Sequence, residues 1–465
     1  MTMLHHVPPT TDPTTTVLPG EEFAALRADL HGDLVLPGEH GWDRARSAWQ
    51  LLVDQQPAAI VEAADAADVA LTVRHARRLG LAVAPQATGH AAGTVDVRGC
   101  ILLRTTRMRG VSITGDRARV AAGSSAGEVA AAAQEHGLAA VLGMAPGVGA
   151  VGMTLGGGLG WLARSHGLAA NSVLAVEGID AQGRSFRADA DHEPELFWAL
   201  RGGTVPVIVT ALEVRLHRVG PLLAGTLLWP IERTLEVVRA WAAWTATLPE
   251  AVTSLVRVLR YPDLPQLPEP VRGRSFVAVE SAIQADAARA QEILAPLRLL
   301  GPLTDGVRPC GAVELGAVHG DPVDPVPALG QGLLLDQLTA SALDAFVAAA
   351  LAPPSAALLS IELRHLGGAL EPGRGVGGAV ADVAGQGLVH AVGFAPVPPT
   401  VGAVSAALDA LLATLAPFAS SRMVRNLAER PAPPEAIFGP ATERLRALAE
   451  ARDPDGVIRG GHPVR

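Results

Sequence analysis

Gly152-Met153-Thr154-Leu155-Gly156-Gly157-Gly158-Leu159-Gly160-Trp161 is the stretch that decides how this chain is read. Three consecutive glycines are expensive inside a helix, each costing roughly 0.8 to 1 kcal/mol relative to Ala. Something therefore has to approach this backbone closely. The run is expected to lead into a short helix, Trp161 to Ser165, whose free N–H groups and positive dipole end suit a pyrophosphate. Gly156, Gly158 and Gly160 give G-x-G-x-G rather than a Rossmann fingerprint, and no acidic residue stands about 20 residues on at the end of a second strand–helix–strand unit. The competing reading of the glycines alone is a tight turn with close helix packing. A second loop, Thr88-Gly89-His90, sets a histidine at the edge of the same kind of cradle, although the chain has 14 histidines and one beside a glycine is more often incidental.

Composition narrows the chemistry. The 465 residues carry a net charge of −9 with both signs intermixed, which is no footprint for nucleic acid or anionic lipid. Every basic residue is arginine. Without lysine there is no Walker-type phosphate loop and no Schiff-base chemistry. Cys100 and Cys310 are the only thiols, too few for a cysteine-based zinc site or a disulfide framework, although a single bridge stays open. No metal site is expected, and a reduced cytoplasmic setting fits. The Pro- and Thr-rich start, residues 1–20, reads as a disordered tail rather than a signal peptide, and no membrane span is expected.

From Ala58 to about Leu216 strands and helices alternate. Ala59-Ile60-Val61 is a strand, Asp65 an N-cap, Val69, Val73 and Ala76 a helical stripe and Gly80 its stop. Leu81 to Ala84 is a strand that delivers the chain to His90. Ile101–Arg104 and Arg117–Ala122 are further strands, Ser125 to Glu128 has the spacing of a capping box, and Val173–Asp180 with Arg184–Ala188 reads as a hairpin. Pro194–Leu200 is a helix and Val207–Leu216 a strand. From Val219 to Pro417 longer strands such as Ser254–Arg260 and Ser275–Ile283 stand between helices, with proline-rich joints. The last helix, Thr442 to Ala451, is expected to return to the first domain.

The order and spacing of several segments resemble flavoproteins of the vanillyl-alcohol oxidase superfamily, in the berberine-bridge-enzyme-like branch with an FAD-binding PCMH-type domain. The matching pieces are the Val61–Arg78 strand and helix, the Gly-His pair, the triple-glycine run, Gly167-Leu168, Glu195 to Gly203, and Arg444-Leu445 followed by Asp453-Pro454. The resemblance implies an α+β fold: a two-part FAD-binding domain, residues 21–218 and 418–465, and a substrate domain, residues 219–417, with an antiparallel sheet flanked by helices. It implies FAD linked covalently to His90 and held by Thr88, Gly89, Gly152, Thr154, Leu155, Gly156, Gly157, Gly158, Gly160 and Val207. Members with two links carry a Cys where this chain has Ala145, so one link is expected at most. The chain departs from the pattern at Gln86-Ala87-Thr88-Gly89, where the family usually has three glycines, at Gly202 to Val207, and at Ala170 in place of an Asp.

Flavin supplies redox chemistry, and the protein then supplies orientation and usually a base. Tyr261, the only tyrosine, is a candidate base that needs a neighbouring cation such as Arg260 or Arg364; an exposed strand-end residue is the alternative. Alternation in Glu362-Leu363-Arg364-His365 puts Glu362 and Arg364 on one face, with Glu362 a second candidate base or half of a structural ion pair. His319 and Asn426 are placed near the pocket by the resemblance alone. The expected function is an FAD-dependent oxidoreductase that oxidises a small alcohol, sugar or natural-product molecule with dioxygen as acceptor. A flavin-N5-oxide oxygenase or cyclase is the rival within the family, and a flavin-poor relative doing non-redox cyclisation or binding is the rival outside redox chemistry. The expected partners are a small-molecule substrate and molecular oxygen, with no nucleic acid, no membrane and room for a homodimer.

Overall fold

The computed structural model describes residues 20–464; the expected disordered tail lies outside them except for Gly20, where a helix Gly20–Asp29 begins. Three sheets organise the chain. The first, in the order Asp33–Val35, Ala59–Glu62, Cys100–Arg104, Ala82–Gln86, is parallel apart from its first strand. Asp65 caps the helix Ala66–Leu79 by accepting from the N–H groups of Ala67 and Asp68, and Gly80 closes it in the left-handed conformation. That helix lays Val69, Val73 and Ala76 on Val61, Val83, Ile101 and Leu103.

The second sheet is antiparallel, in the order Val111–Thr114, Arg117–Ala121, Ile208–Arg215, Val173–Ile179, Ser185–Asp189. Its first strand is missing from the sequence reading: Val111 to Thr114 is only four residues long, and its two apolar residues, Val111 and Ile113, are half-buried at the sheet edge. The capping box forms, with Ser125 and Glu128 each bonded to the other's backbone N–H, and starts the helix Ala126–Glu135. Phe438, Leu445 and Ala449 from the end of the chain pack into the core of this sheet beside Val120, Val176 and Leu212.

The third sheet has eight strands and is antiparallel, running Thr304–Asp305, Leu222–Pro230, Ser275–Gln284, Val252–Arg260, Ser360–His365, Gly387–Phe394, Ala328–Leu335, with Arg308–Cys310 also on Leu222–Pro230. One face is aliphatic and carries the helices Thr234–Thr245, Ala287–Arg298, Ala340–Leu351 and Pro398–Leu415. The last of these is long and apolar enough to cross a membrane by composition, yet Val404, Ala407, Leu408, Leu411 and Leu415 form a helical stripe buried on the sheet. The other face turns to the first two sheets: Leu222, Ala224, Leu255 and Ala282 meet Ala139, Met144, Trp161 and Leu162. Both cysteines are free thiols.

The expected short helix after the glycine run forms, as Ala163–His166. The sequence reading lacked the helix before it: Ala150–Leu155 is helical and Gly156 is its C-cap, so the triple glycine ends one helix and leads to the next. A Cβ on Gly158 would sit 2.5 Å from Ala169 Cβ, and one on Gly160 would sit 1.9 Å from the Leu142 carbonyl oxygen, so these two are glycine because the chain packs on itself.

Candidate functional site

The loop that follows Ala82–Gln86 turns at Gly89, whose φ of 87° is a left-handed conformation, and presents His90. Trp49 stacks on the imidazole with ring centroids 4.1 Å apart and planes 13° from parallel. Thr88 Oγ1 lies 2.8 Å from His90 Nδ1. The strip that carries Trp49 is itself fixed on both sides: Trp49 N–H donates to Thr88 O and Gln50 N–H to Gly89 O, while Leu51 N–H donates to Val326 O and Val326 N–H to Trp49 O. A second loop closes the cradle, since a Cβ on Gly149 would be 3.1 Å from Ala87 Cβ. Burial pushes the His90 imidazole down to about 4 against the opposing pull of the Asp321 and Glu429 carboxylates. It is a neutral base at physiological pH.

Across from His90 the polar face of the large sheet carries a row of charges. Strand register sets Arg257 opposite Glu362 and Glu362 opposite His390. Glu362 is buried, and its Oε1 accepts from Arg364 Nε at 2.8 Å and Nη2 at 2.6 Å, with His390 Nδ1 at 3.4 Å. Its Oε2 lies 3.3 Å from His319 Nε2. His319 Nδ1 is 2.8 Å from Glu280, which also pairs with Arg257 at 2.7 Å. His390 Nε2 reaches Glu429 at 3.2 Å. Burial alone would raise the Glu362 pKa, but Arg364, His319 and His390 outweigh it and hold the carboxyl well below its ordinary range. His390 shows the converse: burial opposes its charge, yet bonds to Glu362 and Glu429 raise it to about 9.

The structure pairs Glu362 with Arg364, the alternative to a base that the alternation left open; a carboxylate held toward its charged form offers above all negative charge. Tyr261 is not brought into the cluster. It stands just past the end of the strand Val252–Arg260, four residues on from Arg257 and so about 13 Å away at strand rise, with its ring edge-on to Phe276 at 6.1 Å. The cations proposed for it are engaged elsewhere, Arg260 on the carbonyls of Ala350 and Leu358 and Arg364 on Glu362. Val207 has its side chain buried in the core of the second sheet and its N–H bonded to Val205 O at 2.8 Å.

The remaining expected cofactor contacts divide. Thr154 is buried, Leu155 packs on the second sheet's core, and Gly156 and Gly157 face the Asn426 side chain, which accepts from Gly158 N–H at 2.9 Å and donates to Met153 O at 3.0 Å. Gly152 is different: it is exposed, and a Cβ there would meet nothing within 4 Å. Among the described residues, the N–H groups of Gly89, His90 and Ala91 donate to no other group. Free backbone donors in a turn, an open glycine and a neutral imidazole together fit a cofactor with a pyrophosphate and a flat ring. Sequence reasoning missed Trp49, Arg257, Glu280, Asp321, His390 and Glu429. Glu280 and His390 were detectable, as single ionisable residues inside the largely apolar runs Phe276–Ile283 and Leu388–Val392.

Comparison with known proteins agrees with this geometry. Residues 57–189 match the family model described as "FAD binding domain". (R)-6-hydroxynicotine oxidase of Paenarthrobacter nicotinovorans is 36% identical over 210 residues, which are 44% of this chain and 46% of that protein. The chain thus spans about half the length of the curated relatives it matches. The solved structure of 6-hydroxy-D-nicotine oxidase from Arthrobacter nicotinovorans superposes with a TM-score of 0.80 at 24% identity, covering 98% of this chain and 100% of that one. Glucooligosaccharide oxidase from Acremonium strictum, whose structure is described with a 6-S-cysteinyl, 8α-N1-histidyl FAD, superposes with a TM-score of 0.79 at 20% identity, covering 95% of this chain and 98% of that one. Residues 57–189 thus match an FAD-binding domain, and the chain has the α+β fold of the solved 6-hydroxy-D-nicotine oxidase.

Proposed function

We propose that this protein is an FAD-dependent oxidase of small organic molecules, with the cofactor linked covalently to His90 and electrons passed to dioxygen. The observation that carries the reading is the opposition of His90 to the Glu362 cluster across the cleft, close enough that Asp321 and Glu429 act on the imidazole. Bound FAD supplies the acceptor for a hydride from substrate carbon. The cradle of Thr88 to Ala91 would hold the pyrophosphate, and Gly152 would let a flat surface lie against the helix Ala150–Leu155. Glu362 places a buried negative charge where positive charge grows as hydride leaves, the kind of fixed electrostatic aid that costs no reorganisation. Arg364 and His390 fix that carboxylate's orientation. Ala145 supplies no thiol, so a single link is the most this cradle can make. The relatives named for hydroxynicotine and for a glucooligosaccharide support amines and sugars as the first substrate classes to test.

The test is a visible spectrum of protein precipitated with acid, followed by a peroxide-coupled assay against amines, alcohols and oligosaccharides. Yellow colour that stays in the pellet and peroxide formed in step with substrate oxidation are expected. A colourless protein that takes up no FAD overturns the reading and leaves non-redox chemistry. Product that gains an oxygen atom from dioxygen without peroxide assigns an oxygenase instead.

A further inference from the structure

We infer that the substrate carries a positive charge on a group apart from the carbon that is oxidised, and that Asp321 is the residue that holds it. The inference rests on the oxidase reading above and names the substrate class, an amino alcohol or amino sugar.

Asp321 lies on a strap that crosses the cleft. At one end of the strap His319 is buried on the polar face of the large sheet, where its Nδ1 is 2.8 Å from Glu280 and its carbonyl accepts from Arg257 Nη2 at 2.7 Å. At the other end Val326 exchanges backbone hydrogen bonds with the strip that carries Trp49, whose ring covers His90. Between them the strap runs over Gly147, where a Cβ would come to 4.0 Å from the Val323 carbonyl oxygen. Asp321 is thereby held between the sheet and the His90 loop, near enough to act on the imidazole.

The carboxylates of the cleft are paired with one exception. Glu280 has Arg257, Glu362 has Arg364 and Glu429 has His390. Among the described residues no arginine pairs with Asp321, and the imidazole beside it, His319 with Nε2 at 3.7 Å, is already bonded to Glu280. Only a third of the Asp321 side chain is exposed, so water screens it less than it screens a surface acid. A second feature points to the same missing donor. Glu362 is 1% exposed, and its Oε2 has no hydrogen-bond partner, while Oε1 takes both bonds from Arg364. That oxygen and Asp321 Oδ1 both approach His319 Nε2, at 3.3 and 3.7 Å, so the two unfilled acceptors are neighbours. A buried acceptor without a donor is costly, and a ligand that brings N–H groups and a positive charge removes that cost at both oxygens.

The held charge is not on the group that reacts. An ammonium nitrogen has no lone pair with which to drive hydride from its own carbon. The group on Asp321 and the carbon that is oxidised are therefore separate parts of one molecule.

The experiment is calorimetric titration of the purified protein under nitrogen with a matched pair, para-(aminomethyl)benzyl alcohol and para-(hydroxymethyl)benzyl alcohol, which differ in an ammonium against a hydroxyl. The cation should bind roughly tenfold tighter, about what one hydrogen bond to a charged group amounts to, and added salt should narrow the gap. Asp321→Asn should erase the preference while leaving affinity for the neutral probe unchanged, which shows that the cleft is intact. Asp324→Asn, at an exposed residue of the same strap, should keep the preference. Equal affinity for the two probes, heat from neither, or an undiminished preference in Asp321→Asn overturns the inference. The oxidase reading fails by a different sign. A colourless protein that still prefers the cation overturns that reading and keeps Asp321 as a cation site, whereas a yellow protein without the preference overturns the present inference alone.

Discussion

Glu362 and His390 face each other on adjacent antiparallel strands, carboxylate Oε1 and imidazole Nδ1 3.4 Å apart, and each holds the other in its charged form. The pair fixes the pH range in which the cleft is intact. The folded pKa of His390, about 9, is above its ordinary 6.5, so its contribution is complete below about pH 6.5 and is lost as pH rises through 9. Glu362 is depressed, so its contribution is present above the ordinary carboxylate range and is lost as pH falls through the depressed value. Urea unfolding across pH should show a plateau between about pH 5 and 6.5 and a progressive loss on the order of 2 to 3 kcal/mol toward pH 10. His390→Gln should flatten the alkaline limb; an unchanged limb would show that another group controls it.

Replacing Glu362 by Gln removes the buried charge and strands Arg364. We expect about 3 kcal/mol of destabilisation, because breaking a buried ion pair leaves a charge without its partner. Turnover should fall roughly a hundredfold or more, with a smaller change in KM. In the parent enzyme kcat should be level from about pH 5 to 8, since an already ionised carboxylate adds no acid limb there. An acid limb that vanishes in Glu362→Gln would restore the general-base role.

Gly152 and Gly158 should respond in opposite ways to alanine. Gly158→Ala forces a Cβ to 2.5 Å from Ala169 at a φ of 77° and should destabilise by about 2 kcal/mol or more, read as a lower Tm. Gly152→Ala adds a methyl into open space within a helix and should raise the Tm of FAD-free protein by the equivalent of up to about 1 kcal/mol. The same methyl should weaken FAD uptake. Equal FAD uptake by parent and variant would remove Gly152 from the cradle.

Trp49 holds His90 by its ring surface, for its Nε1 is buried with no hydrogen-bond partner. Trp49→Phe should therefore keep the linked flavin fraction near that of the parent, while Trp49→Ala, which removes the stacked surface altogether, should reduce it several-fold and cost about 3 kcal/mol. Retention of full linkage in Trp49→Ala, measured by absorbance after acid precipitation, would show that Thr88 alone orients the ring.

What the sequence determined by itself was local. Asp65 and Gly80 bound their helix, Ser125 and Glu128 cap theirs, the hairpin turns near Gly183, and Glu362 and Arg364 share a face, because caps, turns and alternation depend on a few neighbouring residues. The absence of lysine and the Ala at position 145 likewise needed no coordinates. The reasons behind the glycines did not show: Gly158 and Gly160 answer to Ala169 and Leu142, while Gly152 faces open space, and nothing local tells them apart. The charged row was equally hidden, since Arg257, Glu280, His319, Glu362 and His390 come together only when antiparallel strands align in register and a loop crosses their face. Pairing between distant segments is set by how the whole sheet buries its aliphatic face on four helices, and that packing decided which ionisable residues met beside His90.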